Sequence, residues 1–295
     1  MTSLHRKLLR DLYRLKGQVL TIALVLMCGV ASWVSLRSTF DSLDDARTAY
    51  YERQRFADVF ASCVRAPASM EARLSAIPGV SALSTTVVEP VRIMTPSTAI
   101  PPTGVLVGFV PDAATDAPRL MRGRFPAPEA ASEVVLLDSF AKSHDLQVGA
   151  RVGVVIAGVE RELTIVGWAV SPDYLFPMAP GAMSADPDRF GVVWMGLAAA
   201  QRLAGYDGAF NHVSLRLDAR ADPAEVIAAV DAALAPWGNS GAHGRELHTS
   251  DRVMTQELTQ LRGMALVAPA IFLGVAAFLL HVVLGRLIAL ERTEI

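Results

Sequence analysis

The sequence predicts a membrane protein in which two transmembrane α-helices flank an α+β extracytoplasmic domain with an inserted β-rich subdomain. Three observations lead there. The chain of 295 residues is 52% hydrophobic, and its mean hydropathy of +0.35 is higher than soluble domains average. Two runs without Asp, Glu, Lys or Arg, Gly17 to Leu36 and Gly263 to Gly285, lie near its two ends. Between the stalk helices that adjoin these runs, residues 56–248 alternate strand and helix patterns punctuated by Gly and Pro, enough for one or two compact domains.

Composition excludes other classes. The net charge is −2, the pI is near 6.3, and no basic patch with interleaved aromatics occurs, so nucleic acid is not an expected partner. Basic residues are nearly all Arg, with Lys only at 7, 16 and 142, which reads as coding bias rather than arginine chemistry. Of the two cysteines, Cys28 lies inside the first apolar run and Cys63 beyond it, so they are not expected to form one disulfide.

Residues 1–16 carry Arg6, Lys7, Arg10, Arg14 and Lys16 against Asp11, with Leu4, Leu8, Leu12 and Leu15 at helical spacing. This is a cytoplasmic amphipathic helix whose cationic face suits an anionic leaflet, and whose charge also sets topology. Residues 17–36 are of transmembrane length. They are too long for the apolar region of a signal peptide and lack a clear A-x-A site. Met27 stands before Cys28 where a lipoprotein signal wants a small residue. The positive flank places the N-terminus in the cytoplasm.

Residues 37–55 continue as a stalk helix, with Leu43, Ala46 and Tyr50 as its seam. Residues 249–262 form a second stalk helix that Thr249 or Ser250 can cap, and the two stalks are expected to pair. Residues 263–285 span roughly 34 Å as a helix, enough for a bilayer core of about 30 Å, with Pro269 as an expected kink. Residues 286–295 read as the start of a cytoplasmic helix.

The extracytoplasmic domain covers 56–248. Its outer parts, 56–103 and 205–248, read as β-α-β units. One has a strand over Phe56 to Val64, a helix over Ala68 to Ala76 and a strand over Ser84 to Met94. The other has a strand over Asn211 to Asp218 and a helix opened by Asp222-Pro223. The middle, 104–204, is β-rich, with strands over Val105–Val110, Glu133–Leu137, Arg151–Ala157 and Glu162–Val170, and a helix over Ser139–His144.

No catalytic constellation emerges. There is no G-x-x-x-x-G-K-[ST], no H-E-x-x-H and no G-x-S-x-G; no cofactor, metal or catalytic residue is expected. His243, His248 and Asp251 lie in a Gly-rich stretch that reads as a solvated loop rather than a metal site. Glu129, Glu133 and Asp138 read as a solvated face. His281, within the second apolar run, is expected to snorkel, to bond another helix or to relay protons. The loop Ser171-Pro-Asp-Tyr-Leu-Phe-Pro-Met178 either packs on its own domain or offers Tyr174, Leu175, Phe176 and Met178 to a partner or lipid-like ligand.

Several short motifs carry a family resemblance: Phe56-Ala-Asp-Val-Phe60, Ile77-Pro-Gly-Val80, Gly123-Arg-Phe-Pro126, Glu133-Val-Val-Leu136, Val148-Gly149, Ile165-Val-Gly167, Ser171-Pro-Asp-Tyr174 and Glu291-Arg-Thr-Glu-Ile295. With the two-span layout, the chain resembles the N-terminal part of FtsX-like, MacB-type ABC transporter permeases over nearly its whole length. The resemblance implies a non-catalytic permease subunit with no cofactor of its own. Its partners would be a cytoplasmic ABC ATPase, a second permease copy or paralogue, and the bilayer. Glu291, Arg292, Glu294 and Ile295 would begin the helix that couples to the ATPase. The outer β-α-β units would form the porter-like half of a MacB-like core. The cargo would be a lipid, lipoprotein, peptide or amphiphile, and the location a bacterial inner membrane. Such permeases carry four or more spans, so the chain reads as a fragment or one half of a split gene. The same hydropathy pattern also fits a two-span sensor with an extracytoplasmic ligand-binding domain. A membrane-anchored hydrolase lacks a nucleophile or metal set.

Overall fold

The computed structural model describes residues 13, 16–95, 100–179, 181–182 and 184–291, with side chains described as far as Gly285. Apart from Tyr13 and Lys16, the cationic helix expected over 1–16 lies outside the described residues. The chain divides into two compact units, residues 1–47 with 255–295, and residues 48–254.

The first unit holds most of two long helices, α1 (Lys16–Arg53) and α6 (Thr249–Glu291). Both are long and apolar enough to cross a membrane, with mean hydropathies of 2.3 and 2.5 in their most apolar stretches. Large apolar side chains such as Leu20, Met27, Leu266 and Phe278 point outward, an arrangement that costs free energy in water and none in lipid. The helices approach closely at Gly29, where an added Cβ would lie 3.1 Å from Cβ of Phe272. Arg47 also donates to Thr255 Oγ1 at 3.2 Å. Each apolar run continues without a break into its expected stalk, and Pro269 sits inside α6 without ending it.

The second unit begins with β1 (Val59–Pro67), α2 (Met70–Ser75) and β2 (Val80–Thr86). After a long excursion it resumes with β10 (Ala209–Leu217), α5 (Pro223–Leu234) and β11 (His243–Gly244). These strands form an antiparallel sheet in the order β11-β1-β10-β2, with Val59 opposite Leu215 and Leu215 opposite Leu83. Helices α2 and α5 cover one face, burying Val59, Ala61, Val213, Leu215, Leu74 and Val230. Helix α5 starts as the sequence predicts: Asp222 Oδ1 accepts the Ala224 N–H at 2.9 Å and Pro223 takes the first position.

The excursion holds β3 (Val88–Met94), β4 (Thr103–Phe109), β5 (Arg119–Gly123), β6 (Glu133–Leu137), α3 (Asp138–Ser143), β7 (Arg151–Ile156), β8 (Val159–Val170), β9 (Phe190–Gly196) and α4 (Leu197–Ala204). The pairings run β8-β6-β9-β4-β3-β7 and return to β8, so six strands close into a small barrel and β5 attaches outside on β8. Closure removes sheet edges that would otherwise invite aggregation. The 12-residue β8 makes this possible, because its first half pairs with β7 and its second half with β6. At the parallel β4–β9 contact the backbones nearly touch. A Cβ on Gly104 would lie 2.3 Å from the Gly191 carbonyl oxygen, so only glycine fits there.

The run expected as one strand over Ser84–Met94 is two strands in different sheets. Val87, fully buried, is where the chain crosses from β2 into β3. Alternation of side chains marks a strand but not a change of partner. Two apolar helices thus flank an α+β domain with an inserted β-rich subdomain, as predicted.

Candidate functional site, a buried carboxylate and histidine joint

The residues leading into β1 carry Phe56, Ala57 and Asp58. Arg245, in the 3-10 turn Arg245–Leu247 just after β11, grips them. Its Nε donates to the Ala57 carbonyl at 2.8 Å; its Nη2 donates to the Phe56 carbonyl at 2.8 Å and to Asp58 Oδ1 at 2.6 Å. The guanidinium lies 5.1 Å from the Phe56 ring centroid and 5.6 Å from that of Tyr51. Asp58 Oδ2 accepts the Leu217 N–H at 2.9 Å. One arginine and one carboxylate therefore hold together the start of β1, the end of β10 and the approach to α6.

Two more carboxylates reach this place from barrel connections. Asp116, between β4 and β5, accepts the Ala57 N–H on Oδ1 at 2.8 Å; its φ of +53° is a left-handed conformation that aspartate tolerates better than most residues. Thr115 and Ser214 beside it share a hydroxyl–hydroxyl bond of 2.7 Å. Asp116 Oδ2 is buried without a hydrogen-bond partner. Burial raises the Asp116 pKa to about 6, against the opposing pull of Ser214, the Ala57 N–H, Thr115 and the Arg245 charge.

Asp173 sits in the 3-10 turn Pro172–Tyr174 after β8. Its Oδ1 is also buried and unbonded, 3.6 Å from His248 Nε2. Burial, and then the charge of Asp116, push its carboxyl well above the ordinary range. The Asp173 carbonyl accepts the Ser250 hydroxyl at 2.6 Å, tying the barrel connection to the first turn of α6.

His248 replaces the expected cap of that helix. Ser250 N–H donates to His248 Nδ1 at 3.3 Å, which leaves the ring proton on Nε2, facing Asp173. The ring lies 4.4 Å from Phe60 and 5.3 Å, edge-on, from Phe56. Burial first, then His212, His243 and Arg245, lower its pKa to about 3. His212 bonds Ser62 Oγ through Nδ1 at 3.1 Å; burial and His243 lower its pKa to about 4. Both shifts, the carboxyl up and the imidazole down to about 3, favour the uncharged forms over an ion pair at the 3.6 Å contact between Asp173 and His248.

The expectation of a solvated loop at His243 and His248 is therefore corrected. His243 stacks on Phe60 at 6.0 Å and His248 packs beside it, because Phe60 gives both rings an apolar platform. Among the described residues no group of three His, Cys, Asp or Glu is placed to hold a metal. Both cysteines are free. Glu129, Glu133 and Asp138 pair on the surface with Arg202, Arg124 and Lys142. His281 lies on an exposed face of α6.

Of the residues singled out in the sequence, Tyr174 sets its ring edge-on to Trp194 at 6.1 Å against the barrel core. Its phenol is raised by burial and then by Asp173 and Asp116. Leu175, Phe176 and Met178 are half-buried. Glu291 ends α6 with its side chain undescribed, and Arg292, Glu294 and Ile295 lie outside the described residues. Asp58, Asp116, Asp173, His212 and Arg245 do not stand out as a group in the sequence. They come from five separate segments, and only two short motifs, Phe56-Ala-Asp-Val-Phe60 and Ser171-Pro-Asp-Tyr174, flagged part of the set.

No family model matches the chain, and no curated protein matches it. Among solved structures, the periplasmic region of MacB from Actinobacillus actinomycetemcomitans aligns at 8% identity over 70% of this chain and 95% of that one, with a TM-score of 0.43. The extracellular domain of the noncanonic ABC-type transporter YknZ from Gram-positive bacteria aligns at 8% identity over 64% and 98%, with a TM-score of 0.39. A domain of a putative permease protein from Porphyromonas gingivalis aligns at 14% identity over 64% and 90%, with a TM-score of 0.37.

Proposed function

We propose that the chain is a permease subunit of an ABC transporter that works with an ATPase on a separate chain. One observation carries this reading. Each membrane-length apolar run belongs to a longer unbroken helix, α1 to Arg53 and α6 from Thr249. A helix without a break transmits displacement along its axis, which is what coupling a cytoplasmic engine to an outside domain requires. The resemblance of the short motifs to MacB-type permeases supports the same assignment.

In this reading the N-terminus is cytoplasmic, following the basic residues ahead of Gly17, and the unit spanning 48–254 is extracytoplasmic in a bacterial inner membrane. Glu291, Arg292, Glu294 and Ile295 open the helix that meets the ATPase, and a second permease copy or paralogue completes the assembly. The cargo class is a lipid, lipoprotein, peptide or amphiphile. The chain itself carries no chemistry in this scheme; it moves.

The test is co-purification. The native gene product, tagged and extracted in mild detergent, should bring down ATPase activity that disappears when residues 291–295 are deleted. A clean membrane preparation with no ATPase partner would overturn the assignment.

A further inference from the structure

A cavity of about 260 Å³ opens between the two apolar helices, lined by Trp33, Arg37 and Phe40 of α1 and by Arg262, Ala265 and Leu266 of α6. Its position along both helices is defined by charge. Arg37 is the first charged residue after the run ending at Leu36, and Arg262 is the last before the run beginning at Gly263. The cavity therefore sits at the boundary between apolar span and polar flank on both helices at once, the level of lipid headgroups.

Its chemistry is lopsided. Two arginines are among its six lining residues. Arg37 spends its Nε on Asp41 at 3.1 Å and lies 5.7 Å from the Phe40 ring centroid. Arg262 has no carboxylate within ion-pair distance among the described residues. Two cations line the cavity and one carboxylate, Asp41, pairs with one of them, which leaves a net positive site where an anion is favoured. The rest of the lining is apolar or aromatic, with Ala265 buried. Beyond it the outward surface stays apolar through Val30 and Leu266.

We infer that this cavity binds the phosphate headgroup of an anionic membrane phospholipid. Arg37 and Arg262 hold the phosphate in their planar forks, Trp33 lies at headgroup level, and an acyl chain runs along the apolar faces of α1 and α6. The continuous apolar surface is what selects a lipid over free phosphate. The inference rests on the membrane-spanning reading of the two helices and not on the ATPase partner.

The experiment uses the full chain in mild detergent, incubated with phosphatidylglycerol or with phosphatidylcholine of the same acyl chains, and counts retained lipid by native mass spectrometry. Phosphatidylglycerol should be retained in preference. Arg262→Gln and Arg37→Gln should each cut its retention roughly tenfold, as expected for one charge-assisted contact. Arg262→Lys should lose less, and Arg252→Gln, outside the cavity, should lose nothing. An unchanged unfolding temperature shows that each variant is folded. Equal retention of the two lipids, retention unaffected by Arg262→Gln, or displacement of the lipid by millimolar inorganic phosphate would each overturn the inference. A chain that stays soluble without detergent would overturn it together with the membrane reading. Loss of the ATPase partner would leave this result untouched.

Discussion

Replacing Asp116 by asparagine isolates the cost of an ionised carboxylate in the joint. The amide keeps the shape, and its oxygen can still accept the Ala57 N–H that Oδ1 accepts now at 2.8 Å. What the substitution removes is the charge. With the Asp116 pKa raised from 3.8 to about 6, the folded state binds a proton more tightly than the unfolded chain. The stability this group contributes is therefore full below the unfolded value and is lost as pH rises through about 6. The whole loss is about 3 kcal/mol above pH 7, of which about 1 kcal/mol has already been lost near pH 4.5. Asp116→Asn should thus gain about 2 kcal/mol more over wild type at pH 8 than at pH 4.5. That difference corresponds to roughly 4–8 °C in Tm for a domain of this size. Relief of Asp173, whose carboxyl is also pushed up by the Asp116 charge, acts in the same direction. The assay is thermal unfolding of the full chain in detergent, followed by tryptophan fluorescence at both pH values. A gain that is the same at the two pH values, or larger in acid, would refute the argument.

Arg245→Ala strips the Phe56 and Ala57 carbonyls and Asp58 of their shared donor. It should cost about 3 kcal/mol, read as a lower Tm together with faster hydrogen exchange at the start of β1. Gly104→Ala forces a methyl against the backbone oxygen of Gly191, which cannot rotate away, and should cost about 2–3 kcal/mol by calorimetry; Gly158→Ala, with nothing within 4 Å but a φ of +81°, separates backbone strain from this clash. Asp222→Ala removes the cap of α5 and should cost about 1 kcal/mol in chemical denaturation.

Much of this fold could be read from the sequence because its signals are local. Two charge-free runs of spanning length need no tertiary information. Asp222-Pro223 fixes a helix start by itself, and β6 was visible as an apolar, β-branched run. Other elements were hidden for physical reasons. All seven residues of β9 are buried, so it shows no alternation, and its neighbour α4 is short and Ala-rich. Closure of the barrel depends on β8 changing partners midway, a property of the pairing and not of any one strand. The joint was the least legible part. Asp116, Asp173, Arg245 and His248 look like ordinary loop residues one at a time, and burial, which gives each its unusual chemistry, comes from the other segments.

The joint also sets opposite pH dependences against each other, and this can be tested directly. The lowered histidines bind protons less well in the folded state than in the unfolded one. The stability His248 contributes is present above pH 6.5 and is lost as pH falls toward its folded value of about 3, a loss of about 3 kcal/mol by pH 4. His212, lowered to about 4, acts in the same sense. Asp116 and Asp173 act in the other. Acidification therefore weakens the histidine contribution while it restores the carboxyl contribution, so wild-type stability should change less with pH than the histidines alone would make it. His248→Gln can still accept the Ser250 N–H but removes the acid loss, so its stability should fall more steeply with rising pH than that of wild type. Asp116→Asn should tilt the profile the other way. Both residues face Asp173, so the double variant need not equal the sum of the singles, but the two single tilts must have opposite signs. Profiles that tilt in the same direction would mean that the histidines and carboxyls of the joint do not offset one another.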